Sequence, residues 1–527
     1  MQTMYDLVRI QADRTPDALA IVDDRSAREL TYKALIEETD AVAAGFAARG
    51  VRAGARVATC LPNLFEHCLA VLALQRLAAV PALINARLKP QEVGRLIEAG
   101  GLAGAVVLPD PALVEAAAAA LPDDAPLFAV GAAAGRAGDF AACRGSAADL
   151  PPVPRPDPED PCIIFYTSGT TGLPKGVVLA HRTSEHRIVW LSTQGGLRYG
   201  PHNRALGFMP LAHAIGFYGL FLAPLAFGGT YYVMSAFDPA AAVDLIEKHG
   251  ITYLFAAPTL YYAIVNAPNY APARMASLEL VLYGGAIIDP KLVAQMDGQW
   301  ANATVRHIYG TTETMCSGHN PDPVGDTAAL KPGYYTAVRY IRMGGGPDDL
   351  IGPGEEGELI VHAGSDTIFS EYLNRPDATA EKLRDGWYYT GDVIGVDARG
   401  YFSLRGRVDD MIRSGGESVH PEEVEAALRD HANVADCSVI GLEDPKWGQV
   451  IVGCIVAKSS RGGDLDAAAL DTHCRAGALA GFKRPRAYVF VEEVPRNPGN
   501  GNVLRRILRE QAGAMRERGE GYVTVGA

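Results

Sequence analysis

The sequence predicts an α/β protein in two parts: a large N-terminal domain of parallel-sheet αβ layers with a small β-barrel-like subdomain, and a small mobile C-terminal α+β domain. Three observations lead there. Up to about residue 330, helical and strand-like runs alternate. Beyond it the pattern turns to glycine-rich turns and short strands, as in GEEGELIVHAG and RGYFSLRGR. From Asp409 onward a separate helix–strand unit begins, so the predicted division is 1–408 and 409–527.

Taken in order, residues 32–48 read as a helix, RVATC at 56–60 as a short buried strand, and 66–77 as a second helix. An alanine-rich stretch at 113–150 leads into PPVPRPDPEDP, whose prolines restrict the backbone before the next element. That element is the apolar strand 162–166. Further strands are read at 205–209, 252–256 and 280–283. In the last unit, a helix at 422–429 starts near Pro421. Strands follow at 438–441 and 450–456, then a helix at 465–474 and an arginine-rich tail. No internal repeat is visible.

Composition excludes several classes. At 527 residues, two or more domains are expected; 48% apolar and 21% charged residues are ordinary for a globular protein. A net charge of −13 argues against non-specific nucleic-acid binding. Eight cysteines without a Cys-x-x-Cys pair show neither a disulfide framework nor a zinc motif. The N-terminus, MQTMYDLVRIQADRTPDA, is too polar for a secretory signal, which points to a cytoplasmic protein with reduced thiols. The membrane-length run at 209–233 contains prolines, glycines and His213 and lacks basic flanks, so it reads as a buried strand–helix–strand segment rather than a span.

Directly after strand 162–166 comes Thr167, Ser168, Gly169, Thr170, Thr171, Gly172, Leu173, Pro174 and Lys175. Hydroxyls and glycine amides can surround phosphate oxygens closely, and the lysine supplies charge. The Walker A spacing is absent. Taken alone, such a run also fits a surface turn.

The full string YTSGTTGLPKGVVLAHR resembles the signature of the adenylate-forming superfamily, which includes acyl- and aryl-CoA ligases, luciferases and peptide-synthetase adenylation domains. Further motifs match in order across the whole chain: Gly284-Gly285-Ala286, Tyr309-Gly-Thr-Thr-Glu313, Tyr389-Thr-Gly-Asp392 and Gly406-Arg-Val-Asp-Asp410. The resemblance implies ATP, Mg²⁺ and coenzyme A as reactants or cofactors. Glu313 would bind Mg²⁺, a cation that prefers hard oxygens. Thr312 would hydrogen-bond the α-phosphate, Tyr309 would stack on adenine, and Gly310 and Thr311 of the same motif would bind the nucleotide. Gly284 to Ala286 would admit the base, Asp392 would accept both ribose hydroxyls, and Arg407 would reach ribose or phosphate.

The middle of the chain most resembles the benzoate- and 4-chlorobenzoate–CoA ligase branch, through STQGGLRYG at 192–200, MPLAH at 209–213 and Gly344-Gly-Gly346. By this likeness His213, Ala214, Ile215, Ala286, Ile308, Gly310, Met315 and Cys316 line the acyl pocket, and His213 orients the carboxylate. Such an apolar set suits a flat aromatic ring. Each of these residues also fits a plain core role. Gly415 and Gly416 of SGGE would line the pantetheine tunnel near Trp447. Arg87, Phe482, Arg484 and Arg486 resemble the group that receives the CoA nucleotide, since arginine forks suit phosphate. Asp409 marks the hinge of a domain rotation. The resemblance also admits a homodimer.

One position departs from the family. Where a lysine usually contacts the carboxylate and α-phosphate during adenylation, this chain has Asn502 within NGNVLRR. Losing a preorganised transition-state donor typically costs roughly 10²–10³ in rate. Asn502 is therefore expected to weaken the first half-reaction more than thioester formation. Three origins stay open: an engineered trap, a natural change compensated by another cation, or a protein that binds acyl-adenylates without turnover. A luciferase-like oxidation is disfavoured by the CoA-directed residues. A serine hydrolase using Ser168 and His213 lacks the G-x-S-x-G elbow.

Overall fold

The structure is a computed structural model that describes residues 2–167, 173–286, 288–315, 317–334, 336–415, 417–458, 465–477, 479–496 and 503–525. The chain folds as two compact units, Met1–Val338 with Val361–Tyr388, and Arg339–Ile360 with Tyr389–Ala527.

Counted over the described residues, the first unit holds a nine-stranded and an eight-stranded sheet. Strands Arg204–Gly207, Tyr253–Ala256, Leu280–Tyr283 and Thr304–Tyr309 run parallel as successive neighbours. In the second sheet, Val80–Leu83, Arg56–Cys60 and Gly104–Val107 are parallel neighbours too. Their sequences (YLFA, LVLY, VPAL, GAVV) are apolar without alternation, as strands covered on both faces must be. Helices Pro90–Gly100 and Pro111–Ala120 supply Val93, Leu96, Ile97, Leu113, Val114 and Ala117 to one such core.

The expected helix at 32–48 is Tyr32–Ala48, started by the Thr31 hydroxyl accepting from the Ala34 amide at 3.3 Å. The expected strand–helix–strand at 209–233 differs in detail. The preceding strand ends at Gly207, a turn carries the chain to His213, and Ile215–Leu222 is a π-helix that runs into Ala223–Ala226 and strand Thr230–Val233. Gly216 and Gly219 let this segment pack closely, since a Cβ there would collide with the Pro210 carbonyl and the Phe255 ring. Among the described residues, no helix is long and apolar enough to cross a membrane.

From Tyr389 on, the second unit takes in the antiparallel hairpin of strands Trp387–Val396 and Phe402–Arg407, with Asp392 opposite Arg407. Its larger sheet centres on the hairpin of Val434–Asp444 and Gly448–Ala457. These strands outrun the apolar stretches read at 438–441 and 450–456, because cross-strand pairing satisfies the backbone of the polar ends as well. Helices Pro421–Arg429 and Ala467–Ala476 cover one face through Val424, Leu428 and Leu470; Arg505–Arg518 covers the other through Leu508 and Ala512.

Candidate active site

Open α/β sheets bind ligands beyond the carboxyl ends of their strands. Three motif segments of the first unit leave such ends: 208–213 after Arg204–Gly207, 284–286 after Leu280–Tyr283, and 310–313 after Thr304–Tyr309. The last two are adjacent. A Cβ on Gly284 would stand 2.5 Å from the Ile308 carbonyl, so only glycine fits there. Gly285 has φ +81°, and its missing Cβ position lies 3.9 Å from Ile215 Cδ1, which brings together two residues that the sequence resemblance assigns to the nucleotide and to the acyl group. Ile308 and Met315 are buried, Ile215 and Ala214 are half-buried, and Ala286 is exposed. Met315 has φ +49°, a costly conformation for a non-glycine residue and one that gathers at functional sites.

The turn after Tyr309 is tied internally and externally. Thr311 and Thr314 exchange hydroxyl contacts at 3.3 Å, Ser317 Oγ donates to Thr314 Oγ1 at 2.8 Å, and the Ser317 amide donates to the Tyr309 carbonyl at 3.0 Å. From outside, Arg187 of helix His181–Trp190 donates through Nη2 to the carbonyls of Thr312 (2.9 Å), Glu313 (3.2 Å) and Thr367 (3.0 Å). Arg187 is fully buried and its guanidinium lies 5.4 Å from the Tyr218 ring centroid, a cation–π contact with the π-helix. Arg187 lies outside every motif read from the sequence. The available signal is spacing: Ser184, Ile188 and Leu191 share its helical face and are buried too.

Thr167 ends strand Pro161–Thr167 opposite Lys175, and its hydroxyl donates to the Lys175 carbonyl at 3.4 Å. Ser168, Gly169, Thr170, Thr171 and Gly172 lie outside the described residues, as do Cys316, Gly416 and Asn502. The Lys175 ammonium sits 5.0 Å from the ring centroid of Tyr372. The Tyr372 hydroxyl in turn donates to Glu313 Oε1 at 2.8 Å. Glu313 is 8% exposed. Among the described residues no group of three or more His, Cys, Asp or Glu is assembled for a metal. Glu313 thus offers one hard carboxylate, which fits Mg²⁺ as it binds with nucleotides, through one or two carboxylates plus phosphate and water oxygens.

His213 is fixed from the other side. Asn63, buried, donates to the carbonyls of Gly207 (2.7 Å) and Met209 (2.9 Å) and accepts the Leu211 amide (2.8 Å), holding the turn that carries His213. Burial, then the charge of Arg87, push the His213 imidazole down to about 4.

The second unit holds the remaining motif residues. Arg407 Nη1 donates to Asp392 Oδ1 at 2.7 Å, and the Asp392 amide donates to Thr390 Oγ1 at 3.0 Å. Asp409 lies on the 3₁₀ turn Val408–Asp410. The Gly415 amide donates to the Trp447 carbonyl at 2.8 Å, and with φ +62° a Cβ there would stand 3.1 Å from the Trp447 ring. Arg486 stacks 3.7 Å over the same ring. Trp447 and Arg486 line a cleft of about 210 Å³ with Lys446, Arg516 and Tyr522. Phe482 is 40% exposed, and Arg484 pairs with Asp471 at 3.5 Å; neither lines that cleft.

Fold and site together define an enzyme that forms adenylates. Residues 8–373 match the AMP-binding enzyme family and residues 423–500 match the AMP-binding enzyme C-terminal domain. A 4-chlorobenzoate–CoA ligase from an Arthrobacter species is 41% identical over 514 residues, covering 98% of this chain and 96% of that one. One from Pseudomonas sp. strain CBS-3 is 40% identical over 516 residues, covering 98% and 95%. The crystal structure of ATP-bound MatB from Rhodopseudomonas palustris matches with TM-score 0.84 at 26% identity, covering 97% of this chain and 99% of that one. The chain belongs to the AMP-binding enzyme family of the adenylate-forming superfamily, as an AMP-forming acid–thiol ligase.

Proposed function

We propose that this chain is an aryl–CoA ligase that activates a benzoate-class acid, such as benzoate or 4-chlorobenzoate, with ATP and transfers it to coenzyme A. The observation that carries the reading is the chain of contacts from Lys175 through Tyr372 to the buried Glu313, which sets a cation and a carboxylate beside the phosphate-loop hairpin. Identity of 40–41% to ligases of that name runs through both units and supports the aromatic acid.

In the first half-reaction a carboxylate oxygen attacks the α-phosphorus, and the bond to pyrophosphate breaks. Mg²⁺, held by Glu313 with the nucleotide, would neutralise phosphate charge. Thr312 hydrogen-bonds the α-phosphate, neutral His213 orients the carboxylate, and Ala214, Ile215, Ile308 and Met315 enclose the ring. In the second, the thiol sulfur attacks the acyl carbon and AMP leaves. Residues 409–527 turn about Asp409 between the two steps and bring Gly415, Gly416 and Trp447 to pantetheine, with Arg87, Phe482, Arg484 and Arg486 on the CoA nucleotide.

Asn502, at the adenylation-lysine position, slows the first step. CoA-thioester formation from ATP and a panel of benzoates tests the reading, run on this chain and on Asn502→Lys. Faster thioester formation by the variant, by roughly 10²–10³, is the expected result, and the preferred ring names the substrate. A preference for aliphatic acids would move the assignment to another ligase. Tight acyl-adenylate binding with no thioester from either protein would replace catalysis with binding, the alternative that Asn502 itself favours.

A further inference from the structure

Tyr372 belongs to none of the nucleotide, acyl or CoA motifs, yet it touches two of the charged groups around the phosphate loop. Its hydroxyl donates to Glu313 Oε1 at 2.8 Å, and its ring face carries the Lys175 ammonium at 5.0 Å. The residue is held where it stands. Strand Glu371–Tyr372 pairs antiparallel with Lys175–Ala180, placing Tyr372 opposite Val177. The amide of Tyr372 donates to Thr379 Oγ1 at 3.0 Å, and its ring packs on Phe369 at 4.8 Å. The Phe369 amide donates to the Glu313 carbonyl at 2.8 Å, so the same segment grips Glu313 by backbone and by side chain.

A carboxylate has two oxygens, and this contact occupies one of them. We propose that Tyr372 is a positioning residue of the nucleotide site. It pins Glu313 through Oε1 so that Oε2 is presented to the cation accompanying ATP, and it seats Lys175 on its ring so that the ammonium stays beside the phosphate loop. The two functions reside in different parts of one side chain, hydroxyl and ring face, and are separable by substitution. The inference rests on Glu313 as the Mg²⁺ ligand and Lys175 as the phosphate-side cation.

Calorimetric titration of ATP into the full chain, with Mg²⁺ and with EDTA, is the test, and it requires no turnover. Tyr372→Phe keeps the ring and loses the hydroxyl. It is expected to bind ATP in EDTA as the parent does, while the gain in affinity from Mg²⁺ shrinks about tenfold or more, the worth of a hydrogen bond to a charged group. Tyr372→Leu, which loses the ring face as well, weakens ATP binding in EDTA too. Glu313→Gln loses the Mg²⁺ gain outright. Unfolding midpoints of the ligand-free proteins identify any variant that is merely destabilised, and Tyr372→Leu made in a Lys175→Met background isolates the ring-face contribution, since the ring, acting through Lys175, then costs no further affinity in EDTA. A full Mg²⁺ gain in Tyr372→Phe alongside its loss in Glu313→Gln overturns the role of Tyr372 and leaves the site assignment standing. A full gain in both variants overturns the assignment of Glu313 and the inference with it.

Discussion

Asn85 Oδ1 accepts the Arg87 amide at 3.0 Å, which turns its Nδ2 towards His213 Nε2 at 3.4 Å. That orientation makes Nε2 the acceptor and leaves the imidazole proton on Nδ1, a tautomer set by a neighbour rather than by the ring itself. With burial and Arg87 pushing its ionisation down to about 4, His213 is neutral at physiological pH. A neutral imidazole orients a carboxylate by hydrogen bonding and contributes no charge to it. KM for the aromatic acid, measured from about pH 5.5 to 8 in the parent and in His213→Asn, is therefore expected to follow parallel profiles, with the variant displaced upward. A limb near about pH 6.5 present only in the parent would show that the cation does the binding.

At the scale of an element, the last helix is fastened by its first residue. Arg505, 9% exposed, donates to Asp410 Oδ2, Glu422 Oε1 and Glu425 Oε1, each at 2.9 Å. Burial opposes ionisation of Glu425, but Arg505 and Arg429 outweigh it and hold that carboxyl below its usual range; burial pushes Glu422 up. Removing one partner from such a cluster leaves buried charge uncompensated. Arg505→Met is expected to destabilise the second unit by roughly 3–5 kcal/mol, read as a shift in the denaturant midpoint. A loss below about 1 kcal/mol would place the cluster with ordinary surface pairs. Because Arg505 is committed to three carboxylates, it is poorly suited to stand in for the charge that Asn502 lacks.

Across the whole molecule, four histidines of the first unit share one physical state. Burial is the leading cause that pushes His67, His213, His307 and His319 down to about 4. His319 owes part of its shift to the charges of Arg306 and Lys331 as well. The sign follows from comparing folded and unfolded chains. Above about pH 6.5 these rings are neutral in both, and their contribution is level. Between about 6.5 and 4 the unfolded chain takes up protons that the folded one refuses, so stability falls as pH falls; below about 4 the loss from this source is complete. Urea midpoints at about pH 7, 5.5 and 4.5 are expected to decrease in that order. His67, whose ring meets Thr59 Oγ1 and the Pro62 carbonyl at 3.0 Å each, offers the control: His67→Gln flattens the slope. A midpoint that is flat or rising towards acid would contradict this.

Much of the architecture was legible from local pattern. The apolar runs at 56–60 and 280–283 and the helix at 32–48 coincide with Arg56–Cys60, Leu280–Tyr283 and Tyr32–Ala48, because periodicity and capping are properties of neighbouring residues. The order of the glycine, hydroxyl and acidic motifs is likewise written in the chain, and it carries the resemblance to the adenylate-forming enzymes. Only the tertiary structure decided which side chains hold those motifs in place. Arg187 reaches carbonyls 125, 126 and 180 residues away, Asn85 meets a histidine 128 residues away, and Tyr372 meets an acid 59 residues before it. Helical spacing can put Arg187 on an inward face, but no local pattern marks the carbonyls it meets or a neutral histidine. The burial of these side chains, and with it their charge state and strength of contact, exists only once distant segments have packed around them.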